Sequence, residues 1–227
     1  MMETKEYRGF LDKSEWGPGP WQDEPDKVQW RDEATGLPCL IVRGPHGAFC
    51  GYVGVPETHP WHGKDYSTCT APTCDRGDDR WCNHTPEHLL EAHGGITFAD
   101  SCADITREQW QKTMAHLPKW EKEAKQYPRG DAAQRLKINT PFKDDYESWK
   151  ARQHAVTICH IPAPGEPDNV WWFGFDCAHS GDYSPKYDHD RDRWRDDSIY
   201  RDLPYVRKQV TNLAKQIAAQ GEARSEP

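Results

Sequence analysis

The chain has little apolar sequence and no long apolar run. Hydrophobic residues make up 35% of its 227 residues, and the mean hydropathy is −1.01. No stretch approaches the roughly 20 apolar residues of a membrane-spanning helix. Residues 1–10 lack the apolar centre of a secretory signal. We therefore expect a cytoplasmic protein without a membrane segment, in which the eight cysteines are mostly reduced.

The chain also lacks an excess of positive charge. Lys and Arg number 29 against 37 Asp and Glu, which gives a net charge of −8. A general affinity for nucleic-acid backbones needs a basic stripe. We therefore expect no such affinity, although the composition still allows a local basic groove. Rossmann, Walker, G-x-S-x-G and H-E-x-x-H motifs are absent as well. No motif therefore assigns the chain to a common enzyme class.

Aromatic residues and turn formers are abundant instead. Eleven Trp and nine Tyr bury much area per residue, and 18 Pro and 17 Gly interrupt regular structure. Apolar periodicity predicts two principal helices, at 106–126 and 203–220. The first begins with a capping box at Thr106 and Gln109, and Pro118 is expected to kink or split it. The second should pack its apolar stripe on a sheet.

The strand candidates are short and follow one another closely along the chain. They lie at 28–31, 38–43, 48–55, 94–98, 155–161 and 170–175. Local connections of this kind predict an α+β fold, with a mainly antiparallel sheet of about six short strands and long loops. We predict a single domain over residues 1–227. Residues 56–92 show no periodicity and are interpreted as a Cys/His-rich loop or insertion within that domain.

The stretch WWFGFDCAHSGD, residues 171–182, predicts a site at the end of a buried strand. Side-chain alternation places Asp176 at the carboxyl end of this strand, and His179 and Asp182 follow closely. Two carboxylates and an imidazole suit a divalent metal, or a base with an orienting acid. The alternative is purely structural: Asp176 caps a turn, His179 bonds a backbone carbonyl, and Gly181 with Asp182 forms a turn.

The most plausible partner of this strand end is the His-Gly-Gly turn at residues 93–95. Adjacent glycines let the backbone approach a ligand closely. We predict His93, Asp176, His179 and Asp182 as catalytic residues. The predicted ligand contacts are the Gly94 and Gly95 backbone for an anion, Trp172 stacking on a base, and His62 facing the site. His62 belongs to a His-Pro-Trp-His segment at residues 59–62. The alternative interpretation of this segment is a surface loop packed by Trp61.

A second metal site is predicted in the Cys/His-rich segment. Thiolates and imidazoles at short spacing are what tetrahedral Zn²⁺ needs, and the metal would supply folding energy that the loop lacks. The alternatives are a polar insertion with free thiols, or Cys102 as a ligand. Other cysteines are expected in the core, His160 is expected to be structural, and a Cys177–His93 nucleophile stays open. The predicted zinc ligands are Cys69, Cys74, Cys82 and His84.

Blocks spread over the chain resemble an uncharacterised family of accessory proteins encoded by bacteriophages and prophages. The blocks are residues 8–30, 39–66, HGGITF at 93–98, VWWFGFDCAHSGDYSP at 170–185 and YRDLPYVRKQVTNLAKQIA at 200–218. The resemblance implies a setting rather than an activity, because no function is attached to the family. Relative to it, the segment around Cys69 and His84 looks like an insertion, which implies a structural role for zinc there.

Phage accessory proteins of this size often counter host defence. The resemblance therefore implies a protein that cleaves or sequesters a signal nucleotide, or that binds a host protein. With the His/Asp residues as metal ligands or as acid and base, we predict a metal-dependent hydrolase of a nucleotide-like or phosphoester small molecule. The alternative is a non-catalytic binding protein, either a sponge for a small ligand or an inhibitor of a host defence protein. A phage structural or assembly component is a third interpretation. The implied partners are a small-molecule ligand or a host protein in the host cytoplasm.

Overall fold

The computed structural model describes residues 4–44, 46–71, 82–128, 130–188 and 197–222. The chain separates into two compact units, Met1–Cys102 with Ile158–Pro227, and Ala103–Thr157. The prediction of a single domain over residues 1–227 stays a prediction. In chain order the described helices are α1 (Pro86–Leu89), α2 (Arg107–Ala115), α3 (Leu117–Gln126), α4 (Asp131–Asn139), α5 (Tyr146–Val156), α6 (Pro185–Asp188) and α7 (Leu203–Glu222), with 3-10 turns at Pro20–Gln22 and Thr140–Phe142.

The first unit is built on one antiparallel sheet, and the predicted α+β class is confirmed. Its strands are β1 (Lys5–Tyr7), β2 (Lys27–Arg31), β3 (Pro38–Arg43), β4 (Phe49–Pro56), β5 (Phe98–Ser101) and β6 (Val170–Asp176). Their spatial order is β1-β2-β3-β4-β6-β5, and every neighbouring pair is antiparallel. Strand β6 thus lies inside the sheet, which explains its continuous apolar sequence.

Helix α7 covers one face of this sheet. Asp202 caps it, because the Tyr205 amide donates to Asp202 Oδ1 at 2.9 Å. The predicted apolar stripe is confirmed, since all of its members are fully buried against inward-facing strand residues such as Phe173 and Phe175. The stripe consists of Val206, Val210, Leu213 and Ile217. This packing fixes the start of α7 next to the end of β6.

The opposite face of the sheet carries a smaller apolar cluster. Leu40, Val42, Tyr52, Val170 and Trp172 form it, and Trp172 is fully buried. Side chains on β6 therefore alternate as predicted, with odd positions facing α7 and even positions facing this cluster.

The second unit is helical. The predicted helix over 106–126 is split into α2 and α3 at His116, because Pro118 lies in the first turn of α3 and cannot continue α2. The strand predicted over 155–161 is wrong. Residues 155–156 end α5, and 157–161 form no strand. Helix α4 was not predicted, since its sequence has a weak apolar face.

The predicted Cys/His-rich loop is mostly turns in its described parts, 56–71 and 82–92. Trp61 is 1% exposed and anchors the first part in the main core, as the sequence interpretation allowed. Thr70 ties the two parts together, because its amide and hydroxyl both donate to the His84 carbonyl. Within the described residues, no helix is long and apolar enough to cross a membrane.

Candidate functional site

Two turns bring the predicted catalytic residues together. In the first, Gly94 and Gly95 adopt φ of +68° and +90°, and the Gly95 amide donates to the Ala92 carbonyl at 3.1 Å. In the second, the chain leaves β6 at Asp176 and turns back, with the Asp182 amide bonding the His179 carbonyl at 3.0 Å. Positive φ is readily available to glycine, so the sequence itself selects these turns.

Asp182 is the centre of the cluster. Its Oδ2 lies 2.7 Å from His93 Nε2 and 3.7 Å from His179 Nδ1, and it also accepts the His179 amide at 3.1 Å. Its Oδ1 accepts a hydrogen bond from Arg201 Nε at 2.8 Å. The residue is only 2% exposed. A buried carboxylate with this many donors is held in one orientation.

The surroundings of Asp182 favour its charged form. Burial opposes ionisation, but hydrogen bonds from His93, Arg201 and the His179 amide outweigh it and lower the pKa of Asp182. The same contact with Asp182 raises the pKa of Arg201. The pair therefore stays ionised at neutral pH and presents a fixed negative charge to the two imidazoles.

The His179 ring rests against Gly94. A Cβ on Gly94 would lie 2.1 Å from His179 Cε1, so only glycine leaves room for the ring. His179 Nδ1 is buried as an atom and has no hydrogen-bond partner among the described residues. It lies between the carboxylates of Asp182 and Asp176, 3.8 Å from Asp176 Oδ1. A buried ring nitrogen without a partner is an available metal ligand.

No protein-family model, no curated protein and no solved structure matches the chain.

His93, His179 and Asp182 each offer one atom to a group whose members all lie within 4.8 Å of one another. Two imidazoles and one carboxylate are a donor set that binds Zn²⁺ or Fe²⁺ with positions left for water and substrate. The other ring nitrogen of His93 lies 2.9 Å from the Tyr205 hydroxyl. Metal-binding histidines usually have such a partner, because it fixes the ring and its tautomer.

An open cleft of about 440 Å³ adjoins the cluster. His93 and Tyr205 line it together with Ala92 and with polar side chains from residue 91 and from α7. This volume lies in the range of small-molecule sites. The remaining lining residues are Glu91, Gln209, Asn212 and Gln216.

Asp176 both caps a turn and lies next to His179. Its Oδ1 accepts the Ala178 amide at 3.0 Å and its Oδ2 accepts the Thr97 hydroxyl at 3.3 Å. The residue thus caps the turn after β6, as the structural alternative proposed, and also flanks His179. It is 38% exposed at its side chain, whereas Asp182 is buried. Asp182 is therefore the stronger ligand candidate.

Three of the predicted ligand contacts lie elsewhere or are already used. Trp172 is fully buried and its indole donates to Cys102, so the prediction that it stacks on a ligand is wrong. His62 contacts the ring of Trp171, at the far end of β6 and roughly 17 Å along the strand from Asp176. The Gly95 amide closes its own turn, so it does not face an anion.

The predicted zinc ligands converge where they are described. Cys69, Cys82 and His84 form a second group of ligand atoms within 4.8 Å of one another. The two sulfurs are 2.8 Å apart, and the His84 amide donates to Cys82 Sγ at 3.4 Å. Cys74 lies outside the described residues. Cys102 contacts Trp172 instead, so it does not complete this group.

The Cys177–His93 nucleophile is excluded by the environment of the thiol. Cys177 is 1% exposed, and burial raises the pKa of its thiol. Burial likewise raises the pKa of Cys39 and Cys50. Cys39 is a core thiol as expected, whereas Cys50 is partly exposed beside the smaller apolar cluster.

Sequence reasoning missed Arg201 and Tyr205. Arg201 precedes α7 and Tyr205 lies in its first turn, in a stretch whose sequence indicates a charged loop followed by a helix start. Tyr205 could have been noticed, because it is an aromatic residue next to Val206 that does not belong to the apolar stripe.

Proposed function

We propose that His93, His179 and Asp182 bind a divalent metal and that the protein is a metal-dependent hydrolase of a phosphoester or nucleotide-like small molecule. The observation that carries this proposal is the convergence of the three donor atoms, together with the buried, unpartnered Nδ1 of His179. When bound, the metal would lower the pKa of a bound water and polarise the phosphoester.

The surrounding residues suit an anionic substrate. Arg201 is held by Asp182 and lies over the Tyr205 ring, 5.0 Å from its centroid, so a positive charge stands beside the cleft. Arginine matches the geometry of phosphate oxygens. The amide side chains of Gln209 and Asn212 offer hydrogen bonds to a base or sugar.

We further propose that the Cys69, Cys82 and His84 group binds structural Zn²⁺, with Cys74 as the fourth ligand. The buried position of Cys82 and the tie between Thr70 and His84 support a closed site that holds the loop together. The resemblance to phage accessory proteins supports a role against host defence in the host cytoplasm, with a small signal molecule as the partner.

The second candidate is a non-catalytic binding protein, either a sponge for a small ligand or an inhibitor of a host defence protein. One observation favours it: both ring nitrogens of His93 and both oxygens of Asp182 already have protein partners. On this proposal the network is complete without a metal and serves to shape the cleft.

Metal stoichiometry tests the first proposal. The purified wild-type protein should bind two metal ions per chain by elemental analysis after incubation with Zn²⁺. His179→Ala should lose one of them and Cys82→Ser the other. His62→Ala is the matched control, because His62 lies outside both groups, and it should keep both ions.

Hydrolysis of bis(p-nitrophenyl) phosphate tests the activity itself. His179→Ala should lower the metal-dependent rate by about 100-fold or more, while His62→Ala leaves it unchanged. A His179→Ala protein that keeps both ions would refute the metal site. A protein that binds the metal but returns a mixture of cyclic and linear nucleotides unmodified would support the binding protein instead.

A further inference from the structure

A second cluster of reactive side chains lies on the sheet face that carries Trp172. Cys102 directly follows β5, and the indole Nε1 of Trp172 is 3.3 Å from its sulfur. His160 Nδ1 is 3.7 Å from the same sulfur. Trp172 and His160 are 0% and 2% exposed, whereas Cys102 is partly exposed. A buried indole donor and a buried imidazole thus face a sulfur that a small reagent can reach.

The hydrogen bond on the far side of His160 sets its tautomer. His160 Nε2 lies 3.0 Å from the Pro167 carbonyl. A carbonyl only accepts, so Nε2 carries the hydrogen and Nδ1 is the nitrogen that can take a proton from Cys102. A thiol, an imidazole and a third group that orients the imidazole form the arrangement that activates cysteine nucleophiles.

The charge around Cys102 also favours its thiolate. Lys27 is fully buried, and its ammonium donates to the carbonyl of Cys159. Indole N–H groups only donate, so the Trp172 contact stabilises a negative sulfur. Hydrogen bonds that Cys102 shares with Cys159, His160 and Trp172 outweigh burial and lower the pKa of Cys102 well below the ordinary thiol range. The titratable groups around this cluster are Lys5, Tyr7, Lys27, Cys159, His160 and Asp168.

Cys159 is the natural second thiol. Its contact with Cys102, followed by burial, raises the pKa of its own thiol. The Cys159 thiol donates to the carbonyl of His160 at 3.5 Å, so it lies beside the residue whose ring contacts Cys102. The two sulfurs thus differ in their surroundings: Cys102 is partly exposed among groups that favour the thiolate, and Cys159 is a buried thiol. This asymmetry is typical of a nucleophilic and a resolving cysteine.

We propose that Cys102 is a reactive thiolate at neutral pH and that a peroxide converts it to a disulfide with Cys159. In the first step the Cys102 thiolate attacks one peroxide oxygen, the O–O bond breaks, and Cys102 sulfenic acid and, after protonation, water or an alcohol are formed. In the second step the Cys159 sulfur attacks the Cys102 sulfur, and the hydroxyl leaves with the Cys159 proton as water. A dithiol reductant restores both thiols.

The alkylation rate of each cysteine tests the first half of the proposal. The reduced protein is treated with limiting iodoacetamide between pH 5 and pH 9, and each cysteine is quantified by mass spectrometry. The Cys102 rate should already be at its plateau at pH 6. Cys50 is the internal control: it is also partly exposed, but burial raises the pKa of its thiol to about 11. Its rate should rise about tenfold per pH unit.

A Cys102 rate that rises with pH in parallel with Cys50 would overturn the proposal. This comparison uses the wild-type protein, so it does not depend on a variant that folds. His160→Gln should move the Cys102 plateau to higher pH by removing the proton acceptor, and an unmoved plateau would remove His160 from the proposal.

Hydrogen peroxide tests the second half. One equivalent should yield a Cys102–Cys159 linked peptide that dithiothreitol cleaves. In Cys159→Ser the reaction should stop at a sulfenic acid that dimedone traps on Cys102. If peroxide leaves both thiols unlinked, or oxidises Cys102 to the sulfinic acid without a linked intermediate, Cys159 is not the resolving thiol.

Discussion

Two adjacent glycines have different tasks at the His/Asp cluster. Both have positive φ, so alanine at either position pays the same kind of backbone strain, about 1–2 kcal/mol. Only at Gly94 would the added methyl strike the His179 ring, whereas nothing lies within 4 Å of a Cβ on Gly95. Comparison of alanine variants at the two positions therefore separates the effect of backbone strain from the effect of displacing the His179 ring.

We predict that Gly94→Ala lowers the affinity of the His/Asp site for Zn²⁺ by about tenfold or more relative to Gly95→Ala. Titration of both variants in a Cys82→Ser background isolates this site. Equal affinities in the two variants would show that the position of His179 does not matter to the metal.

At the same scale, part of the site follows from sequence and part does not. His93, His179 and Asp182 were predicted because histidine and aspartate beside glycine turns carry a chemical signature. Arg201 was not predicted, because a charged residue in a charge-rich segment is typical of a solvent-exposed loop. Its contact with Asp182 spans 19 positions, and only the folded chain reveals it. Cys102 and His160 were missed for the same reason, since 58 positions separate them.

Helix α2 shows how an element is delimited by a few side chains. Thr106 Oγ1 accepts the Gln109 amide at 3.2 Å, which is one half of the predicted capping box. Asp104 provides a different second half, because its carboxylate accepts the Thr106 amide at 3.2 Å. The cap is thus confirmed and its partner is corrected.

We predict that Thr106→Ala destabilises the helical unit by about 1 kcal/mol, because it leaves an amide of the first turn without an acceptor. Thr106→Asp keeps an acceptor and should stay within a few tenths of a kcal/mol of wild type. Urea unfolding followed by far-ultraviolet circular dichroism, with hydrogen exchange of the Gln109 amide, measures both. Faster exchange in Thr106→Asp than in Thr106→Ala would contradict this account.

Elements whose own sequence decides their structure were predicted best. Strands β3, β4 and β6 and helix α7 have clear periodicity and clear ends. The apolar run at 155–161 was misassigned as a strand because β-branched residues favour strands. The Asp145 cap, which accepts the Ser148 amide at 3.0 Å, instead starts a helix that continues to Val156. Strand β1 has three residues and no apolar pattern, and only pairing with β2 makes it a strand.

At the scale of the whole molecule, the sheet unit holds the His/Asp site and the Cys102 site on different faces. Tyr205 belongs to the helix packed on one face, while Trp172 points from β6 to the other. The His/Asp site and the Cys102 site should therefore respond independently, so that Cys102→Ser leaves the metal stoichiometry unchanged.

The buried Lys27 makes the stability of the sheet unit depend on pH. Burial lowers the pKa of Lys27 from its ordinary 10.5 to about 8, against a partial offset from the neighbouring Cys159 and Cys102. Between these two values the unfolded chain binds more protons than the folded one, so the free energy of unfolding rises with pH in this window. Below about pH 8 both states are protonated, and the cost of the buried charge, roughly 3 kcal/mol, is present in full.

We predict that Lys27→Met removes this dependence. At pH 7 two effects on the stability of the variant oppose each other. Removal of the buried charge stabilises the variant, and loss of the donor to the Cys159 carbonyl destabilises it by about 1–3 kcal/mol. Whatever the net sign, the difference in unfolding free energy between variant and wild type should move by roughly 3 kcal/mol in favour of wild type from pH 7 to pH 10.5. Urea titrations under reducing conditions measure it, with the exposed Lys208→Met as control. A difference that stays constant over this range would mean that Lys27 binds its proton equally well in both states.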